Sequence, residues 1–162
     1  AIDEFIKYHP QSYEIIAGDT VITDKAFLVV VCNASQYGNN AFVAPAASIR
    51  DGMLDVTIVH QGNLVTHAIS GLEMITGSIG NHGHIRTFRT SSITIRRHDP
   101  TVTHIDGDPV ELPKDLEIKC HPGGLKVFVT AHKPRFKPFI TPLILLLKDW
   151  EIALTRPFRR KH

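Results

Sequence analysis

The chain has 162 residues, 43% of them apolar and 21% charged, a balance that fits a globular domain with one substantial core. Its two cysteines, Cys32 and Cys120, exclude a disulfide scaffold and a cysteine-rich zinc site, and no apolar run is long enough to span a bilayer. The net charge of +2 conceals an asymmetry: residues 1–132 carry ten Lys/Arg against fourteen Asp/Glu, whereas residues 133–162 carry eight against two. Such a tail is expected to meet an anionic membrane, a nucleic acid or an acidic partner.

The first ten residues hold no basic segment followed by an apolar stretch, so no signal peptide is predicted. Residues 12–17 form a short β-prone run closed by Gly18-Asp19. Residues 26–32 are continuously apolar and β-branched, as expected of a strand covered on both faces. Residues 53–59 alternate, with Leu54, Val56 and Ile58 on one side and Asp55 and Thr57 on the other.

Residues 63–75 change period. Leu64, Ala68, Leu72 and Ile75 recur at helical spacing, Val65 and Ile69 stand beside them, and Gly77 lies just past the end. An amphipathic helix crossing between strands is predicted there. Residues 92–96, 116–120 and 125–129 return to the period of two. Short strands divided by Gly, Pro, Asn and Asp predict a mainly β fold, an antiparallel β-sandwich or barrel with one crossing helix.

The tail differs in kind. Pro134, Pro138 and Pro142 punctuate its start, residues 143–154 read as a helix that is apolar almost all round, and Pro157 follows. The chain thus divides into a β domain over residues 1–133 and a basic, apolar C-terminal tail over residues 134–162.

Three groups of residues could carry chemistry. Ten histidines, including His82, His84, His98, His104 and His121, offer imidazoles, but Asn81-His82-Gly83-His84 is a glycine-flanked turn and no His-Glu-x-x-His or Cys-x-x-Cys accompanies it, which favours turn and surface positions. Ser48 to Asp55 contains Asp51-Gly52, a common turn pair whose carboxylate and neighbouring carbonyl could hold a hard cation such as Mg²⁺. Asp106-Gly107-Asp108 reads as a hairpin tip; its two carboxylates could divide the roles of base and partner toward a substrate hydroxyl. No phosphate-binding glycine loop and no nucleophile elbow is present, and both cysteines fall in strand-like runs as core residues.

Taken in order, these segments resemble a known family. A strand ending at Asn33, a turn through Gly38, then Ala44-Pro45-Ala46-Ala47-Ser48-Ile49-Arg50-Asp51-Gly52-Met53-Leu54-Asp55-Val56 resembles the diacylglycerol/sphingosine/ceramide kinase superfamily, most closely its bacterial lipid-kinase-like members. Ile105-Asp106-Gly107-Asp108-Pro109 matches that family's Ile-Asp-Gly-Glu-Pro, and residues 116–128 resemble its closing strand segment. The resemblance covers residues 11–132. Asp108 stands where the family has Glu, which draws the carboxylate back by one methylene, about 1.5 Å. Gly38-Asn39-Asn40 replaces a run of glycines.

The resemblance implies the C-terminal, substrate-side lobe of a two-lobe, ATP-dependent lipid kinase. The N-terminal lobe that binds ATP through a Gly-Gly-Asp-Gly-Thr motif is absent from this chain, which alone is expected to be inactive. By position, Asp108 is implied as the base and Asp106 as its partner. Asp51 is implied as a Mg²⁺ ligand through its carboxylate, Met53 through its carbonyl, with Ser48 as a third position. The implied partners are a lipid such as diacylglycerol or a sphingoid base and the N-terminal lobe, without nucleic acid. The implied location is the cytoplasm or the inner membrane surface. The tail either packs on the other lobe or lies on anionic lipid, where Leu143, Ile144, Leu147 and Trp150 would insert. The rival reading is a non-catalytic β-sandwich module that binds anionic membrane or a partner through this tail.

Overall fold

The computed structural model describes residues 10–38, 41–80, 83–98 and 101–128. Among these residues, eight strands and one helix follow one another as β1 (Gln11–Ala17), β2 (Thr20–Cys32), β3 (Leu54–His60), α1 (Leu64–Thr76), β4 (Ile85–Thr90), β5 (Ser92–Arg97), β6 (Thr101–Ile105), β7 (Asp108–Leu112) and β8 (Asp115–Lys119). Six strands form one antiparallel sheet in the order β4-β3-β2-β1-β5-β8, and β6 and β7 form a separate two-stranded ribbon. The predicted class, mainly antiparallel β with a crossing helix, is the one observed.

A single residue, Ser91, separates β4 from β5, yet three strands lie between them in the sheet. Across a flat sheet the two would stand roughly 19 Å apart. Two residues of chain reach at most about 7 Å, so the sheet must curl until its β4 end meets its β5 side. The enclosed core is one cluster: Ile15 and Ile22 from the first hairpin, Ala26, then Leu54, Val56 and Ile58 from β3, and Ile93 and Ile95 from β5.

Burial reverses one expectation. The strand covered on both faces is β3, the alternating one, where even Asp55 and Thr57 are buried. The apolar β2 is only partly covered, and Leu28 is exposed. The cause lies in residues 42–44, which are buried against β3: Thr57 Oγ1 donates to the Val43 carbonyl at 2.7 Å, and Phe42 N–H donates to the Met74 carbonyl of α1 at 2.8 Å. A strand with polar residues on one face is covered there because those residues find partners.

The helix is also reversed. Asn63 caps its start, accepting from Thr66 N–H at 2.9 Å, and Gly77 closes it at φ 67°. Its buried residues are Thr66 and Ser70, and His67 stacks on Phe27 of β2 at 4.0 Å. Leu64, Val65, Ile69 and Leu72 face outward, each more than half exposed. Periodicity marks an apolar stripe but not which side the protein covers. Among the described residues no helix is long and apolar enough to cross a membrane.

Two sequence expectations change at the C-terminal side. Residues 85–90, β4, pass unpredicted because Arg86 and Arg89 interrupt a short run. Residues 125–128 are not a strand: Gly123 turns the chain at φ 69°, Gly124 N–H bonds back to the His121 carbonyl, and Leu125, Val127 and Phe128 emerge exposed with no strand beside them among the described residues. Val129 and the tail over residues 134–162, with its predicted helix, lie outside the described residues.

Candidate functional site

The β6–β7 ribbon is closed by two residues, Asp106 at φ 52° and Gly107 at φ 103°. Positive φ at both central positions is what a tight hairpin turn compatible with strand twist requires. Asp106 is the only non-glycine residue with positive φ among the described residues, and aspartate tolerates that conformation better than most. Asp106 and Asp108 are both exposed, and among the described residues neither carboxylate has a hydrogen bond or an ion pair. His104 Nδ1 lies 3.3 Å from the Gly107 carbonyl and braces the turn.

The base of the ribbon is held by Arg97, which is buried. Arg97 Nη1 donates to Thr103 Oγ1 at 2.8 Å, and Nη2 donates to the carbonyls of Leu112 at 3.1 Å and Pro113 at 2.7 Å. One guanidinium thus ties the start and the end of the hairpin to β5. Sequence reasoning missed Arg97, although the signal existed: Ile93, Ile95 and Arg97 fall on one face of an alternating strand, and two of the three are core isoleucines.

The second cluster is the Asp51 turn. Gly52 adopts φ 71°, and a Cβ there would lie 2.9 Å from Pro122 Cγ, so the position is doubly restricted to glycine. Asp51 Oδ1 accepts from Met53 N–H at 3.0 Å, and Ser48 Oγ accepts from Arg50 N–H at 3.4 Å. Arg89 Nη2 donates to Asp51 Oδ2, and its Nε approaches Asp55 Oδ1 at 3.3 Å. The β3–β4 register sets Arg89 directly opposite Asp55.

The electrostatics follow from these contacts. The Met53 N–H and the Arg89 guanidinium hold the Asp51 carboxyl below the usual range. Burial pushes Asp55 up, against the pull of Arg89. Asp55 Oδ2 is buried without a hydrogen-bond partner among the described residues. Cys32, opposite Asp55 on the other side of β3, donates Sγ–H to the Asp55 carbonyl at 3.4 Å, and burial with the nearby carboxylate pushes its thiol up to about 11.

Ser48, Asp51 and Met53 therefore share one turn, and Asp106 and Asp108 share one hairpin tip; no hydrogen bond or ion pair joins the two clusters among the described residues. Of the histidines weighed from sequence, His84, His98, His104 and His121 are exposed, and His82 lies outside the described residues. An open groove of about 640 Å³ contains a pair that sequence reasoning did not single out, His60 Nδ1 and Asp24 Oδ2 at 2.5 Å. Only the β2–β3 pairing brings them together.

The model of a family described as the YegS C-terminal NAD kinase β-sandwich-like domain matches residues 1–129. The chain belongs to that family. A curated relative of this YegS-domain chain, "Probable lipid kinase YegS-like" from Stenotrophomonas maltophilia (strain K279a), is 28% identical over 103 residues, covering 63% of this chain and 33% of the relative. The chain therefore spans about a third of the length of that protein. Two solved structures from Bacillus anthracis str. Sterne share the fold. One, described as a "putative diacylglycerol kinase", has a TM-score of 0.59 and 22% identity over 71% of this chain and 38% of its own. The other, described as a diacylglycerol kinase, has a TM-score of 0.51 and 20% identity over 74% of this chain and 44% of its own.

The resemblance to lipid kinases implies a Mg²⁺ at the Asp51 turn, and the donor set as it stands does not fit one. Of Ser48, Asp51 and Met53, only Asp51 brings a carboxylate, and both of its oxygens are engaged, one by Met53 N–H and one by Arg89. Among the described residues no three His, Cys, Asp or Glu side chains gather into a metal-binding group.

Proposed function

We propose that this YegS-family domain is the acceptor-side lobe of an ATP-dependent kinase that phosphorylates a lipid hydroxyl in a cleft shared with an N-terminal nucleotide-binding lobe. The reading rests on one observation above all: in a chain of this family, two carboxylates stand exposed on a hairpin tip whose base Arg97 fixes. Asp108 accepts the proton of the acceptor hydroxyl. The oxygen then attacks the γ-phosphorus of ATP, the bond from that phosphorus to the bridging oxygen breaks, and ADP leaves. Asp106, on the same hairpin tip, helps align the hydroxyl. Phosphoryl transfer depends chiefly on position and charge neutralisation, so a base without the nucleotide lobe should not turn over, and the isolated domain is expected to be inactive. The outward apolar stripe of α1 supports an acceptor with an apolar body, such as diacylglycerol or a sphingoid base.

The test is Asp108→Ala in the complete two-lobe protein, with ATP, Mg²⁺ and a panel of lipid alcohols. We expect kcat to fall by about 10²–10⁴, the usual value of a positioned base. Undiminished turnover would overturn the assignment. A second reading, a non-catalytic module that docks on anionic membrane, draws on the excess of eight Lys/Arg over two Asp/Glu in residues 133–162. It requires salt-sensitive liposome binding by this chain that disappears when residues 134–162 are deleted.

A further inference from the structure

The Asp51 turn has the charge arrangement of a cation site with the cation already supplied by the protein. We propose that the Arg89 guanidinium takes the place of a divalent metal in this chain, so that the turn is locked without Mg²⁺. A metal here would have two structural tasks, to neutralise the carboxylates that flank the turn and to tie the turn to the strand that follows it. Arg89 does both. Its Nη2 donates to Asp51 Oδ2 in the turn, and its Nε faces Asp55 Oδ1, four residues on and inside β3. The planar fork of a guanidinium carries its donors in fixed directions, which suits it to bridging carboxylates.

Three further features support the exchange. Arg89 reaches the site by strand register, opposite Asp55, so the rigid β3–β4 ladder delivers the charge. Two further oxygens of the turn are engaged locally, Asp51 Oδ1 by Met53 N–H and Ser48 Oγ by Arg50 N–H, and Mg²⁺ would need such oxygens at 2.0–2.1 Å in a near-octahedral shell, whereas Asp55 Oδ2, without a partner among the described residues, is buried on β3. The turn is also clamped from outside, because Pro122 packs where a side chain at Gly52 would lie. A Mg²⁺ could enter only by expelling Arg89 from Asp51.

The experiment compares thermal unfolding of the 162-residue chain in EDTA and in about 10 mM Mg²⁺, a concentration at which even a weak native-state site stabilises by mass action. Isothermal titration with Mg²⁺ and Mn²⁺ accompanies it. The wild-type chain should melt at the same temperature in both and show no saturable cation binding. Arg89→Ala should melt lower in EDTA and recover part of the loss in Mg²⁺, because Asp51 and Asp55 are then left without a cation. Should Arg89→Ala fail to fold, Arg89→Gln, which keeps a donor but not the charge, should show the same gain of Mg²⁺ response. Saturable Mg²⁺ binding by the wild type that Asp51→Asn abolishes would overturn the proposal. So would Arg89 variants that fold but remain indifferent to Mg²⁺.

Discussion

The chain contains two Asp-Gly turns that share a dipeptide and little else. At Asp51-Gly52 only the glycine takes a positive φ, and the aspartate carboxylate is consumed by the protein itself, by Met53 N–H on one oxygen and Arg89 on the other. At Asp106-Gly107 both residues take positive φ, and the carboxylates of Asp106 and Asp108 face solvent. The first turn sits against Pro122 and leads into the most deeply covered strand; the second tops a ribbon outside the main sheet. A carboxylate whose lone pairs are already satisfied contributes stability and has little left for a substrate, whereas an exposed pair on an anchored hairpin has the reverse properties. Substitutions in the two turns should therefore separate stability from chemistry.

The largest stability effect is expected at the anchor of the exposed turn. Arg97→Ala removes a buried guanidinium with three hydrogen bonds to Thr103, Leu112 and Pro113. It should cost about 2–3 kcal/mol in urea unfolding, and hydrogen exchange should quicken over β6 and β7 more than over β1 to β3. Equal loss of protection across both sheets would mean that Arg97 supports the core rather than the ribbon.

Next comes the glycine of the turn that Arg89 holds. Gly52→Ala places a side chain at φ 71° and 2.9 Å from Pro122 Cγ. We expect about 2 kcal/mol of destabilisation. Gly18→Ala, also at positive φ but with nothing within 4 Å of the added Cβ, should cost less. Equal costs would show that the contact with Pro122 yields freely.

The smallest effects are in pH dependence, where Asp51 and Asp55 have opposite signs. The folded-state pKa of Asp51 is lowered from 3.8, so its contribution is present above that value and is lost as pH falls through the lowered one. The folded-state pKa of Asp55 is raised from 3.8, so the folded chain favours its protonated form, and that contribution is lost as pH rises through the raised value. Urea melts across this range should show Asp51→Asn flattening the acid limb and Asp55→Asn flattening the limb above it. Identical profiles would indicate that Arg89 does not distinguish the two carboxylates.

The comparison also marks what a sequence can and cannot convey. The strands at Leu54 and Ser92 were legible from their alternating residues and β2 from its apolar, β-branched run, and the helix was legible from its period and its Asn63 and Gly77 ends. Which side of that helix is covered was not, because the answer depends on what reaches it: Phe27 stacks on His67, and Phe42 bonds to Met74. Both Asp-Gly turns were visible as turns. Their difference was not, since it is made by Arg89, set opposite Asp55 by strand register, and by Pro122, some seventy residues from Gly52 along the chain. Arg89 lies in the one main-sheet strand that sequence reading passed over, so its role as the turn's cation was unseen together with its strand.

The most direct test of the proposed function is a crossed measurement on the proposed two-lobe kinase, taking kcat for phosphoryl transfer from ATP to a lipid alcohol and the melting temperature for Asp51→Asn and Asp108→Asn side by side. The account predicts that Asp108→Asn loses turnover by about 10²–10⁴ with its melting temperature unchanged, and that Asp51→Asn melts lower while the folded enzyme keeps most of its turnover. The reverse pattern, with turnover lost at Asp51 and retained at Asp108, would contradict it.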